Sequence, residues 1–228
     1  MNWLAGIRED GFGALPSVFS HGFVDQVLEG IAQLSPPRSR AGVRHALALG
    51  PVAEVARHPL VLGEIARGVL GADAFPYRAT LFEKSPNANW LVVWHQDTAL
   101  PLRSRLEVHG WGPWSVKERV LYAHAPSSAL SQVLAVRVHL DDSTADNGPL
   151  RVLPRTHRLG VLSDDSIHEL STRVAPVDCI LPRGGIVAMR PLLVHASSKS
   201  RIDMPRRVLH IEYAASESIA EPLHLARA

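Results

Sequence analysis

The stretch Trp90-Leu91-Val92-Val93-Trp94-His95-Gln96-Asp97 decides how this chain is read. Its five leading apolar residues include two Trp and two β-branched Val, a run that favours a strand. Along a strand, residues i and i+2 project to the same face. His95 and Asp97 therefore point together, and Gln96 points away. Burying an ionised carboxylate at the end of an apolar run is costly unless something compensates it, and a divalent cation would do so. One imidazole and one carboxylate are two thirds of a facial triad. That ligand set leaves adjacent coordination positions open and favours non-haem Fe(II).

A distant His must complete the triad. His195 closes the apolar run Leu192-Leu193-Val194 and is expected near the core. His157 competes, but it ends Leu-Pro-Arg-Thr-His and reads as part of a turn. Arg206 follows His195 on a later β-rich run and offers a planar fork of donors that matches a carboxylate. Ser197 can add a hydroxyl to the same carboxylate. Arg207 alternates to the opposite face and reads as a surface residue.

Around this centre the chain divides in two. Phe23, Val27, Leu28, Ile31 and Leu34 recur at helical spacing and stop at Pro36-Pro37. Val52 to Gly71 carries a second helical pattern, interrupted at Pro59. Beyond it the runs are strand-like: Tyr77 to Glu83, Trp90 to His95, Val133 to Leu140, Leu150 to Leu153, and Arg207 to Ala214. Ser85 to Asn89 reads as the turn between the first two. Gly184-Gly185 separates Cys179–Leu181 from Ile186–Met189 and predicts a hairpin. The segment from Asp97 to Ser131 reads as a long loop and fits a lid. Short strands after a helical prefix predict a mainly β fold, a sandwich or jelly roll with flanking α-helices. A single domain over 1–228 is expected, with a helical prefix at about 1–72 and a jelly-roll core at about 76–215.

Composition bounds the function classes. The chain has 228 residues, 46% hydrophobic and 20% charged, which are globular values. Net charge is +2 and only three residues are Lys. The basic residues are scattered, so no nucleic-acid footprint is expected. No stretch is long and apolar enough for a membrane span. The N-terminus lacks a signal-peptide pattern, so the cytoplasm is the expected compartment. The single cysteine, Cys179, cannot form an internal disulfide and reads as a buried side chain. The partner class is a small-molecule substrate, and the oligomeric state stays open.

The sequence resembles the phytanoyl-CoA dioxygenase family of Fe(II)/2-oxoglutarate-dependent oxygenases. The matching pieces are Leu-Phe-Glu-Lys at 81–84, Trp-His-Gln-Asp at 94–97, Val-His-Leu-Asp-Asp at 138–142 and Asn-Gly-Pro-Leu at 147–150. Leu-Pro-Arg-Thr-His at 153–157, Arg-Pro-Leu-Leu-Val-His at 190–195 and Arg-Arg-Val-Leu-His-Ile-Glu-Tyr at 206–213 continue the series. The resemblance implies a double-stranded β-helix (jelly roll, cupin-like). It also implies Fe(II), 2-oxoglutarate as co-substrate, and O2. His95, Asp97 and His195 match the family's metal ligands, and Arg206 its 2-oxoglutarate-binding Arg. Ser197 matches the neighbouring hydroxyl, and Thr80 a position lining the 2-oxoglutarate pocket. Retention of Asp97 favours hydroxylation of an aliphatic C–H, with release of succinate and CO2, over halogenation.

Three departures limit what transfers. Arg155 stands where the family's turn usually has Gly. Arg137 replaces a frequent Trp, and reads as a contact to 2-oxoglutarate, a contact to a substrate anion, or a partner of an acid. The segment from Asp97 to Ser131 is longer than in the CoA-ester enzyme, so that substrate is not inherited. For the substrate, Lys84 and Asn89 are candidates at the pocket mouth. Trp111 and Trp114 are candidates for an apolar wall or for simple loop packing, and Arg44 and Lys117 for an anion contact. Two other classes compete: a zinc-dependent hydrolase using the same His/Asp/His ligands, and a non-catalytic jelly-roll binding protein.

Overall fold

The structure, a computed structural model, describes residues 3–39, 42–85 and 88–227. In chain order the elements are α1 (Trp3–Glu9), β1 (Phe12–Leu15), α2 (His21–Leu34), β2 (Gly42–Val43) and α3 (Gly50–Arg57). A π-helical stretch, Pro59–Ala66, and α4 (Arg67–Leu70) follow. Then come β3 (Phe75–Lys84), β4 (Val92–His95), β5 (Ala99–Leu102), β6 (Trp114–Lys117), β7 (Val120–His124), α5 (Ser127–Leu130) and β8 (Val133–His139). The remainder is β9 (Leu150–Val152), α6 (Asp164–Arg173), β10 (Val177–Cys179), β11 (Ile186–Met189), β12 (His195–Ser197), β13 (Arg206–Ala214), β14 (Ser218–Ala220) and β15 (Leu223–His224).

Two antiparallel sheets make the body, in the order β1-β11-β8-β13-β3-β2 and β10-β9-β12-β4. The mainly β jelly-roll class expected from the sequence is the one observed. The long strands β3 and β13 pair from Lys84↔Arg206 to Phe75↔Ala214. Their outward residues Ala79, Leu81, Leu209 and Ile211 join Leu134, Val136 and Val138 of β8 in one core cluster. The helices cover that face through Val24, Val27, Ile31, Val52, Val55, Val61 and Ile65. Ser20 caps α2 by accepting from the Phe23 backbone N–H, and Ser35 ends it in the left-handed conformation just before Pro36. Inward, Ala135, Val187 and Met189 pack on the small sheet, while β3, β13 and Arg137 present polar side chains to a cavity between the two sheets.

Several expectations are corrected. The helical prefix also supplies β1, which edges the large sheet by pairing with β11, and β2, which pairs with β3. The predicted hairpin across Gly184-Gly185 does not form. β10 pairs with β9 in the small sheet and β11 with β8 in the large one, so this turn crosses between sheets. The reason is packing: Gly184 has φ +82, and a Cβ there would lie 2.1 Å from the Phe19 carbonyl oxygen. The turn is therefore pressed against the chain entering α2. The predicted loop between Asp97 and Ser131 holds a three-stranded sheet, β5-β7-β6, and the short α5. Residues 86 and 87 of the predicted turn at 85–89 lie outside the described residues, and Ser85 and Ala88 bridge across them. Among the described residues no helix is long and apolar enough to cross a membrane. Cys179 is buried, and burial pushes its thiol up to about 12.

Arg155 takes the positive φ (71°) that a glycine would hold more easily. Its Nε donates to Asp10 Oδ1 at 3.1 Å and its backbone N–H to the Asp10 carbonyl at 2.9 Å, which offsets part of the strain. Gly184 has no such alternative. Gly184→Ala should destabilise the protein by about 2 kcal/mol or more, read as a lower midpoint in denaturant unfolding.

Candidate active site

β4 and β12 are neighbours, and His95 lies directly opposite His195 in their register. The two imidazoles sit with ring centroids 4.2 Å apart. β4 ends at His95, and Asp97 is held beyond it by its backbone N–H donating to the Pro191 carbonyl at 3.0 Å. Asp97 Oδ1 lies 3.5 Å from His95 Nε2, and Oδ2 lies 3.5 Å from His195 Nε2. One ligand atom from each of the three falls within 4.8 Å of the others. Each ring's Nδ1 faces a backbone carbonyl two residues earlier: His95 that of Val93, His195 that of Leu193, both at 2.9 Å. An Nδ1–H bound there leaves each Nε2 with its lone pair toward Asp97 and a shared cation, the outer support that metal-binding imidazoles need. Gln96 turns the other way, as the alternation predicted. It donates to the Gly160 and Leu192 carbonyls and accepts from the Leu162 N–H.

Electrostatics prepare the ligands. Burial would raise the Asp97 carboxyl, but His195 and His95 outweigh it and hold it well below the usual carboxylate range. Burial lowers His195 to about 4, so its imidazole is neutral. Burial also lowers His95, but the Asp97 carboxylate overrides this and raises it.

The cavity beside this triad is about 280 Å³, and its far end is cationic. Arg206 opens β13 and is 3% exposed. Its Nε donates to the Asn147 carbonyl at 3.1 Å and an Nη2 hydrogen to Ser197 Oγ at 3.3 Å. Its Nη1 is buried without a partner. Lys84, opposite Arg206 in the ladder, donates to Ser197 Oγ at 2.7 Å and to the Ser198 carbonyl. Desolvation, then Arg206 and Arg137, lower Lys84 to about 7. The Ser197 hydroxyl donates to the Gly148 carbonyl at 2.9 Å and steadies both cations, and a buried guanidinium with an open donor beside an ammonium is complementary to a carboxylate.

The phytanoyl-CoA dioxygenase family model matches residues 7–208. The chain belongs to that family. The dioxygenase class read from the sequence is that of the family, and a structural neighbour, EctD from S. alaskensis, is solved with bound Fe and with 2-oxoglutarate. The L-proline trans-4-hydroxylase of Streptomyces griseoviridis is 25% identical over 187 residues, covering 71% of this chain and 62% of its own length. The chain thus spans less than two thirds of that relative. The apo structure of EctD from S. alaskensis superposes with a TM-score of 0.71 at 21% identity, covering 98% of this chain and 82% of that one. The epimerase SnoN, solved with Fe3+, alpha ketoglutarate and nogalamycin RO, gives 0.69 at 19% identity, covering 93% and 82%.

Thr80 lines the cavity of this family member, as do Arg137 and Arg44. The placements of Lys84 and Asn89 are corrected, and for Trp111 and Trp114 the packing alternative is the one observed. Lys84 is not at the pocket mouth: it is 1% exposed and sits beside Arg206, because β3 carries it inward opposite that residue. Asn89 lies outside the cavity lining and clamps Ser200, donating to its carbonyl and accepting from its N–H. Trp111 and Trp114 do not line the cavity; they pack on the cluster of Leu100, Leu102, Ala123 and Leu223. Lys117 is exposed over the Tyr122 ring, while Arg44 pairs with Glu118 at 3.2 Å. Arg207 pairs with Asp141 on the other side of β13, as alternation predicted. The sequence reading missed Trp90, Arg78, His210 and Glu212, all of which line the cavity. Counting by twos from Arg206 along β13 and from Thr80 along β3 would have found the last three.

His157 lines a separate depression with Arg8, Arg158 and Arg190. His195→Ala should therefore lower affinity for Fe(II), or for Co(II) as a stand-in, by about 100-fold or more. His157→Ala should leave it unchanged, both read by equilibrium dialysis.

Proposed function

We propose that the protein oxidises an aliphatic C–H of a small-molecule substrate, consuming O2 and 2-oxoglutarate and releasing succinate and CO2. The carrying observation is that one cavity is lined both by a His/Asp/His cluster and by a buried Arg206 whose Nη1 has no partner among the described residues. His95, Asp97 and His195 hold the metal. Arg206 and Lys84, steadied by Ser197, take the distal carboxylate of 2-oxoglutarate, and Thr80 lines its path. Bound iron supplies oxygen activation; the chain supplies orientation, charge and exclusion of water. Hydroxylation accords with the relative named as a proline hydroxylase and with the carboxylate ligand Asp97. A zinc hydrolase would use the same three ligands but leaves Arg206, Lys84 and Ser197 without work. A binding protein without catalysis has no need of a triad left open toward a cavity.

Anaerobic protein given Fe(II) and 2-oxoglutarate should develop a visible charge-transfer band, and with O2 it should release succinate. Tight zinc binding without that band would sink the proposal. Arg206→Gln should weaken 2-oxoglutarate by about 2 kcal/mol or more, since it breaks a buried charge pair.

Lys84 adds a pH signature. Its ammonium attracts the distal carboxylate only while protonated, and its ordinary value is lowered to about 7. Affinity for 2-oxoglutarate should therefore be greatest below that value and fall as pH rises through it. Lys84→Met should flatten the dependence at the alkaline level, read by titrating the charge-transfer band between about pH 6.5 and 8.5.

A further inference from the structure

Arg137 is the cavity-lining cation with no assigned task. It projects from β8 at 8% exposure, opposite His210 of β13. Among the described residues no carboxylate forms an ion pair with it. Its hydrogen bond among the described residues is from Nη1 to His210 Nδ1 at 3.0 Å. Burial, Arg137 itself and Arg78 push His210 well below its ordinary value, so its ring is neutral and accepts at Nδ1. That leaves His210 Nε2–H directed toward Glu212 Oε2, 3.9 Å away, and Arg78 and Tyr77 also donate to the Glu212 carboxylate. The row fixes Arg137 from one side only. Its Nε is buried without a partner, and among the described residues no hydrogen bond is made by Nη2. The Nε–Nη2 edge is the one that grips a carboxylate with two parallel bonds. Phe82 lies over the guanidinium at 5.7 Å, which holds its plane.

A buried guanidinium with an open two-donor edge in a cavity requires an anion. Arg206 and Arg137 stand four residues apart along the β13 ladder, about 13 Å of strand. They are still close enough for Arg137's charge to act on Arg206. Arg137's charge also acts on His195 and on Asp97, so it belongs to the metal end of the cavity. Two guanidiniums with open donors, one near the metal and one beside Lys84, match a dianion with a carboxylate at each end.

We propose that Arg137 holds the metal-proximal carboxylate of 2-oxoglutarate through its Nε–Nη2 edge, making it a second co-substrate anchor. This rests on the reading under Proposed function. Arg137 would donate from that edge to the carboxylate and so orient the keto acid end beside the residues that would hold the metal.

The test compares two keto acids with anaerobic Fe(II) protein, reading dissociation constants from the charge-transfer band without turnover. 2-Oxopentanoate keeps the keto acid end of 2-oxoglutarate and lacks the distal carboxylate. Arg137→Gln should weaken both acids by a similar factor, about tenfold or more. Arg206→Gln should weaken 2-oxoglutarate alone. Arg137→Lys, which keeps charge but not the fork, is the second variant if the first does not fold, and it too should weaken both in parallel. The proposal is overturned if both Arg137 variants bind both acids as the wild type does, or if their loss disappears with 2-oxopentanoate. Failure of wild-type protein to bind either acid would instead overturn the oxygenase reading beneath it.

Discussion

The register that sets His195 opposite His95 is the constraint on which the site depends. A one-residue slip between β12 and β4 would turn one imidazole out of the cavity, because side chains alternate faces. The small sheet has short strands, of three or four residues, so its own ladder specifies that register weakly. The surroundings hold it instead. Gln96 ties the strand end to Gly160, Leu162 and Leu192, and the Asp97 N–H binds the Pro191 carbonyl. Asn89 and Ser200 clasp each other at the far end of the same two segments. The links to Leu192, Pro191 and Ser200 join the β4 segment to the chain flanking β12, and those to Gly160 and Leu162 anchor it to the segment before α6.

The large sheet carries the opposite kind of cost. Its outer face is a conventional apolar layer under the helices. Its inner face holds Arg78, Lys84, Arg137, Arg206, His210 and Glu212 in or beside one cavity. Only the Arg78–Glu212 pair is internally neutralised. Desolvation lowers Lys84, Arg137 and Arg206 alike, the signature of charges buried ahead of their partner. Such a face weakens the apo protein and is repaid on binding an anion that the unfolded chain does not bind. On the proposed function, stability and co-substrate recognition are linked through the same three residues.

Much of this was legible in the sequence, for identifiable reasons. His95 and Asp97 follow from a period of two, and His195 from the apolar run that it closes. Arg206 and Arg207 separate by the same alternation, one into the cavity and one onto Asp141. What failed was long-range pairing. Gly184-Gly185 reads as a hairpin locally, and only the approach of the chain at Phe19 makes it a crossover. Phe12 to Leu15 is too short to announce a strand, and gains its place from β11. Trp111 and Trp114 read equally as wall or packing. The choice was made by the β5-β7-β6 sheet, whose apolar side needed cover.

Arg155 and Arg137, the two departures inside the family motifs, have different meanings. Arg155 is a local problem with a local answer: a left-handed residue supported by Asp10, outside the lining of the catalytic cavity. Arg137 is buried, lines that cavity and bonds a neutral ring, and among the described residues no carboxylate forms an ion pair with it. A Trp at that position would present an apolar face and at most one donor. An Arg presents a charge and a two-donor edge, which changes what the metal end of the cavity attracts before any substrate arrives. Differences among relatives of this fold therefore need not reside in the loops over the cavity. A single inward position on a central strand can alter the field around the metal while leaving the ligand triad intact.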